Sequence, residues 1–156
     1  MAWSNSKIFM AFLEDVFENT TAMDLNADTF KAALYDNDIT PDQTVTSANT
    51  AYGVGQWVTT GNEVSEAGQW ATAGVALSSV TSTFTSNVYT FDAADTASGS
   101  AADLANVYGA LIYDDTIATP VADQGVCFLY AGGANSVVNG TFTLVYSASG
   151  IFAITA

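Results

Sequence analysis

One stretch, Val107 to Asp115 (V-Y-G-A-L-I-Y-D-D), constrains the fold of this chain more than any other. Val107, Tyr108, Ala110, Leu111, Ile112 and Tyr113 put apolar groups on both faces of an extended segment, the pattern of a strand covered from two sides. It is expected to be the central strand. Gly109 permits close backbone approach, and Asp114-Asp115 is expected to turn the chain out to solvent.

The remaining segments are read relative to that strand. Ile8, Phe9, Phe12, Leu13, Val16 and Phe17 recur at helical spacing while Lys7, Glu14, Asp15 and Glu18 take the other faces, which predicts an amphipathic helix over 7–19 with Asn5 or Ser6 as its cap. Residues 1–6 are expected to form a flexible arm. Trp3 on that arm, together with Phe9 and Phe12 of the helix, is a candidate for contact with a partner, since a mobile tryptophan must be buried somewhere. The segment Asp28 to Tyr35 alternates as a strand would, although Asp28 could cap a short helix; its brevity and the turn formers Asp36-Asn37-Asp38 favour the strand. A turn of helix is expected near Ser47 to Tyr52. The stretch from Gly53 to Gly74 carries Trp57 and Trp70 with few aliphatic residues, so the two indoles are either contact points or lids on a small core.

Alternation of Thr and Ser with apolar residues predicts strands within Val75 to Thr85 and at Val88 to Asp92, followed by a flexible loop from Ala93 to Ala102. Val126 to Ala131 reads as the next strand and Gly132 to Asn135 as its turn. A C-terminal hairpin is expected from Thr141–Tyr146 and Ile151–Thr155 around Ser147 to Gly150. The fold class that follows is mainly β: an antiparallel β-sandwich or open barrel with one N-terminal amphipathic helix, a single domain over 1–156 whose β-rich body is 28–156.

The side chains available limit the chemistry. The 156 residues include no histidine, two lysines and one cysteine, which leaves no Ser-His-Asp or Cys-His machinery and none of the usual zinc sets. Cys127 lies in the apolar run Val126 to Tyr130 and reads as a buried small hydrophobe. No phosphate-binding glycine motif is present, so no cofactor is expected. Among the sixteen acids, Glu63 with Asp114 or Asp115 could be paired as in a glycosidase, and Asp36, Asp38 and Asp42 suggest a calcium loop. Chance pairing and a solvated turn account for them better. Asp114-Asp115 could also hold a cation with Asp36 or Asp38, but a polar strand end is the simpler reading. The expectation is that the chain is not an enzyme. A formal charge of −14 repels phosphate, which argues against nucleic acid or a polybasic membrane contact and favours partners with neutral or basic patches. Neither a signal-peptide core nor a run of apolar residues long enough to span a bilayer is evident, so synthesis and folding in the cytoplasm are expected.

The order of short words along the chain adds a resemblance. T-F-K-A-A-L-Y-D at Thr29 to Asp36, N-E-V-S at Asn62 to Ser65, G-A-L-I-Y-D-D at Gly109 to Asp115 and G-T-F-T-L-V-Y with G-I-F-A-I between Gly140 and Ile154 together resemble a family of small virion proteins of tailed bacteriophages. The resemblance implies a structural protein, a capsid decoration or minor capsid protein on the outer surface of the shell. Its implied partner is the major capsid protein, and a homotrimer is the expected assembly, as symmetric closure at three-fold positions favours. The longer middle around Val54 to Gly74 departs from the family pattern. Related proteins also serve in tails and fibres, so a receptor- or glycan-binding tail component using Trp57, Trp70 and the Asp-rich loops is the alternative.

Overall fold

The computed structural model describes residues 3–156. Its elements run β1 (Lys7–Ile8), α1 (Met10–Phe17), β2 (Phe30–Tyr35), α2 (Ser47–Thr50), a 3-10 turn at Gly55–Trp57, β3 (Glu63–Val64), β4 (Val75–Ala76), β5 (Ser78–Thr85), β6 (Val88–Ala94), β7 (Thr96–Ala97), β8 (Ala102–Asp114), β9 (Gly125–Gly140), β10 (Thr143–Leu144) and β11 (Phe152–Thr155). Every strand pairing is antiparallel. The main sheet has the order β1-β9-β8-β2-β3, with β4 also on β2, and a three-stranded sheet β11-β6-β5 and the small pair β10-β7 complete an open sandwich.

β8 is central, as its two-sided apolar pattern requires. Residues 109–114 are buried throughout, and β2 pairs with β8 residue by residue from Phe30↔Asp114 to Tyr35↔Gly109. Directly opposed residues of an antiparallel pair share a face. Tyr35, Ala33, Leu111 and Phe128 therefore line one side, where Trp3, Phe9 and Trp57 cover them. Phe30, on the opposite side, meets Phe91 of the three-stranded sheet at 5.0 Å between ring centres, and Phe91 stacks on Phe152 at 5.3 Å. Gly109 has a specific reason to be glycine. A Cβ there would collide with the Leu129 carbonyl and the Trp3 indole.

The chain passes between sheets at Leu77. Val75–Ala76 pairs with β2, then Ser78–Thr85 pairs with β6 across a bulge between Ser78 and Thr81, the device by which strands turn sandwich corners. Ser86 and Asn87 both have positive φ (51° and 67°) and close the β5–β6 hairpin with the backbone twist such two-residue turns need.

Several expectations are corrected. The helix is shorter than 7–19, because Lys7–Ile8 is drawn into the edge of β9 and the Phe9 N–H donates to the Val126 carbonyl (3.1 Å). A tertiary ladder therefore outcompetes the local caps at Asn5 and Ser6, and α1 begins without a side-chain cap. It also ends at Phe17, short of 19, with Glu18 as its cap and Asn19 at φ 55° in the left-handed position that terminates helices. Residues 1–2 of the expected arm lie outside the described residues; the remainder is fixed, since Trp3 is fully buried and Ser6 Oγ accepts the Tyr130 N–H (2.9 Å). Gly132 to Asn135 is a bulge within one long strand instead of a turn. The ladder slips from Gly109↔Tyr130 to Val107↔Asn135, and Asn135 Nδ2 bridges the distortion by donating to the Ala131 and Gly133 carbonyls (3.1 and 2.8 Å).

The C-terminal hairpin is also overturned. A reversal exists as the Ser147↔Gly150 bridge, but the strands on either side part: Thr143–Leu144 pairs with β7, and Phe152–Thr155 pairs with β6. The β6 edge gives Phe152 an aromatic partner in Phe91 that a local hairpin would not supply. Within Ala93 to Ala102, expected to be a free loop, Thr96–Ala97 pairs with β10.

Two substitutions test this core. Trp3→Ala should cost about 3–5 kcal/mol and Gly109→Ala about 1–3 kcal/mol through overpacking. A surface control, Val138→Ser on a residue 83% exposed, should stay within about 0.5 kcal/mol, all read by urea denaturation of the full chain.

Candidate functional site

The five side chains expected to contact a partner are all interior. Trp3, Phe9, Trp57 and Trp70 are fully buried and Phe12 nearly so. Trp57 is the centre of an aromatic hub, with Trp3, Phe9, Tyr35 and Phe128 around it at ring-centre distances of 5.9, 6.0, 5.1 and 6.0 Å. The Tyr35 hydroxyl donates to the Trp57 carbonyl (2.7 Å), and Trp3 Nε1 donates to the Asp36 carbonyl (2.7 Å). Trp70 sits apart from the hub. Its Nε1 donates to the Ala32 carbonyl (3.0 Å) on the outer edge of β2, and its ring meets Phe142. Trp3, Phe9, Trp57 and Trp70 present no accessible contact in this fold, Phe12 reaches the surface only as a nearly buried lining residue of an apolar groove, and Trp57 and Trp70 offer no sugar-stacking platform. A sequence-level signal for their burial existed in the scarcity of aliphatic residues between Gly53 and Gly74: indoles there are the segment's main means of covering the sheet.

The carboxylates are distributed by strand register. Glu63 lies opposite Tyr35, near one end of β2, whereas Asp114 lies opposite Phe30 at the other end. The pairing of Glu63 with Asp114 expected for a glycosidase is therefore not formed, and Asp36 is likewise kept from Asp114. Asp36 and Asp42 instead close local turns, accepting the N–H of Asp38 (2.9 Å) and of Thr44 (2.8 Å). Among the described residues no group of three or more His, Cys, Asp or Glu is arranged to hold a metal ion. Among the described residues no helix is long and apolar enough to cross a membrane.

Three polar arrangements hold loops to the sheet. Asp15 on α1 accepts from Ser47 Oγ (2.5 Å), Gln124 Nε2 (2.7 Å) and Thr20 Oγ1 (2.9 Å). Burial pushes this carboxyl up, but the three hydrogen bonds outweigh it and hold it below the ordinary value. Glu63 accepts from the Tyr52 hydroxyl (2.8 Å) and the Ala73 N–H (2.9 Å), with partial burial raising its pKa against those bonds. Tyr52 in turn stacks on Tyr113 at 5.1 Å. Lys31 pairs with Asp115 at 2.9 Å beside Asp123.

Asp114 was expected to point to solvent and does the reverse. It is fully buried, and its Oδ1 accepts the N–H groups of Thr116 (2.7 Å) and Ile117 (3.2 Å), so the carboxyl shapes the turn that leaves β8. Burial pushes its pKa up to about 6, opposed by the Thr116 N–H and reinforced by the charge of neighbouring Asp28. Its Oδ2 has no N–H or O–H donor. A proton on Asp114 directed at neighbouring Asp28 would give Oδ2 the partner it lacks.

The accessible apolar surface lies elsewhere. Phe12, Leu13, Val16 and Phe17 of α1 face Leu25, Tyr89, Phe152 and Ile154 across a groove of about 310 Å3. Phe84, Tyr89 and Ile154 are directly opposed across β5, β6 and β11 and share one face. This row continues the Phe91–Phe152 face beyond the part covered by the main sheet. Phe17 and Phe84, 76% and 66% exposed, are its most open members. Sequence periodicity had marked the α1 stripe but assigned the contact to Phe9 and Phe12, the residues nearer the core. A second depression of about 420 Å3, with mixed lining, runs between Leu129–Ala131 and the segment Phe142–Ser147. No protein-family description, no curated protein and no solved structure matches the chain.

The Asp114 geometry makes stability pH-dependent in a definite direction. A carboxyl raised from its ordinary value of 3.8 to about 6 binds its proton more tightly when folded, so its contribution is full below about pH 4 and is lost as pH rises through about 6. Glu63 and Asp123, also raised, add in the same sense; Asp15, being lowered, contributes the opposite slope, lost only at lower pH. Asp114→Asn keeps the acceptor for Thr116 and donates permanently toward Asp28. Denaturant titrations across pH should show the variant more stable than the wild type by about 2 kcal/mol at pH 7.5, the gain vanishing near pH 4.

Proposed function

We propose that this chain is a non-enzymatic structural protein of a tailed-phage virion, a decoration or minor capsid protein that attaches to the outside of the shell and stabilises it. The observation carrying the reading is the word-level resemblance, and two of its words form one physical unit. Thr29 to Asp36 and Gly109 to Asp115 contain β2 and the inner half of β8, the two strands that pair through the middle of the main sheet. The chain's charge of −14 adds support, since an acidic protein is repelled by packaged nucleic acid and compatible with an exterior position. Binding only the assembled shell would stabilise it by mass action. The major capsid protein is the partner in this reading, with a homotrimer as the expected assembly.

Copy number and position in purified particles test the proposal, by quantitative gel analysis with a cryo-EM map. Many copies in a regular lattice on the shell are expected. A few copies at the tail would move the assignment to the tail or fibre component, and absence from any particle would overturn the virion role.

A further inference from the structure

The groove between α1 and the β6–β11 edge is the surface best formed for a partner, and its chemistry restricts what can occupy it. Its walls, Leu13, Val16 and Phe17 on one side and Tyr89 and Ile154 on the other, are apolar. The Tyr89 hydroxyl is occupied by Ser82 Oγ at 2.6 Å. The most exposed wall residue, Phe17, is bordered on the helix surface by Glu14, one turn earlier, and by Glu18, and Asp24 adjoins Leu25; all three acids are exposed. Glu14 and Glu18 are like charges four residues apart, a mutually unfavourable spacing. They also sit in the C-terminal half of α1, at the negative end of the helix dipole, and no basic residue occupies its last turn. Anions are disfavoured there, so the helix gains nothing from them, whereas a cation brought by a partner would relieve both repulsions.

A second copy of the chain supplies little of that charge. It carries only two lysines; Lys31 is paired with Asp115, and Lys7, exposed on β1, is a single side-chain cation against the three acids beside each groove. We propose that the groove docks a segment of a different protein, an amphipathic stretch whose apolar side chains enter between α1 and β6–β11 and whose flanking lysines or arginines meet Glu14, Glu18 and Asp24. Identifying that protein as the shell rests on the function proposed above; the chemistry of the segment does not.

The probes are two synthetic amphipathic peptides of about 12 residues, matched except that one carries Lys and the other Glu on its polar face, titrated into the isotopically labelled full chain. The Lys peptide is expected to shift the methyl resonances of Leu13, Val16, Leu25 and Ile154, and to weaken several-fold between about 50 and about 300 mM salt, as screening shortens the reach of the acids. Phe17→Ser, at a position open enough to leave folding intact, should reduce its affinity about tenfold, while Val138→Ser should not. Equal binding of the Glu peptide, shifts confined to another surface, or an unaffected Phe17→Ser variant would overturn the proposal. So would concentration-dependent self-association abolished by Phe17→Ser, which would give the groove to a second copy. In particles, a Phe17→Ser chain that still decorates the shell removes the groove and leaves the virion role, whereas Lys-peptide binding by a chain absent from particles does the opposite.

Discussion

The close approach of Trp3 to Gly109 is the constraint on which the rest of the structure depends. Because the central strand lacks a side chain at that point, an indole can lie against its backbone, and Trp57 can then pack against the indole with Phe9, Tyr35 and Phe128 around it. The segment from Asp36 to Gly74 has little regular structure of its own. It is held over the sheet by this aromatic contact and by hydrogen bonds from side chains to backbone, such as Tyr35 to the Trp57 carbonyl and Tyr113 to the Ala73 carbonyl. Aromatic residues suit that role because each buries a large area at few rotatable bonds.

What could be read in advance followed from periodicity. The two-sided apolar run of β8, the alternation in β2 and the β5–β6 hairpin around Ser86-Asn87 were legible because each is fixed by its own residues and its burial. The errors share one cause. At Lys7–Ile8, at Gly132–Gly133 and at Thr141–Thr155 the local sequence permits a cap, a turn and a hairpin, and a distant strand offers a better partner. Phe142, Leu144 and Tyr146 alternate with more exposed residues and turn inward, but the strand beside Leu144 is β7 and not the one a local hairpin would supply. Side-chain alternation specifies a face, but it does not name the strand alongside.

The contact residues were misjudged for a related reason. Trp3, Phe9 and Phe12 were offered to a partner because a flexible arm was taken to precede the helix, and Trp57 and Trp70 were left open between contact points and lids on a small core; with the arm and the middle anchored, all five lie in the interior. The exposed apolar surface is instead made by smaller steps: Phe17 lies beyond the buried part of α1, and Phe84 and Tyr89, opposed across the β5–β6 hairpin, gain Ile154 only when β11 joins β6 from far along the chain. Such a row has no sequence signature. Asp114 is the converse case, a charged residue type placed inside because its carboxyl completes a turn that backbone groups alone would leave unsatisfied.

The burial of Trp3 against strands more than a hundred positions away also bears on when this protein can fold. The hub joins residues near 3, 9, 35, 57 and 128, and the opposite layer is closed by Phe152 on Phe91. As the chain emerges from the ribosome, neither layer of the sandwich can be completed until β9 and then β11 are available, so the early helix and tryptophan must wait in an unfinished, apolar state. Such long-range closure makes for slow folding and a period of exposure to aggregation. A net charge as high as this one's offers protection in that interval, keeping incomplete chains apart before the fold can hide what they expose.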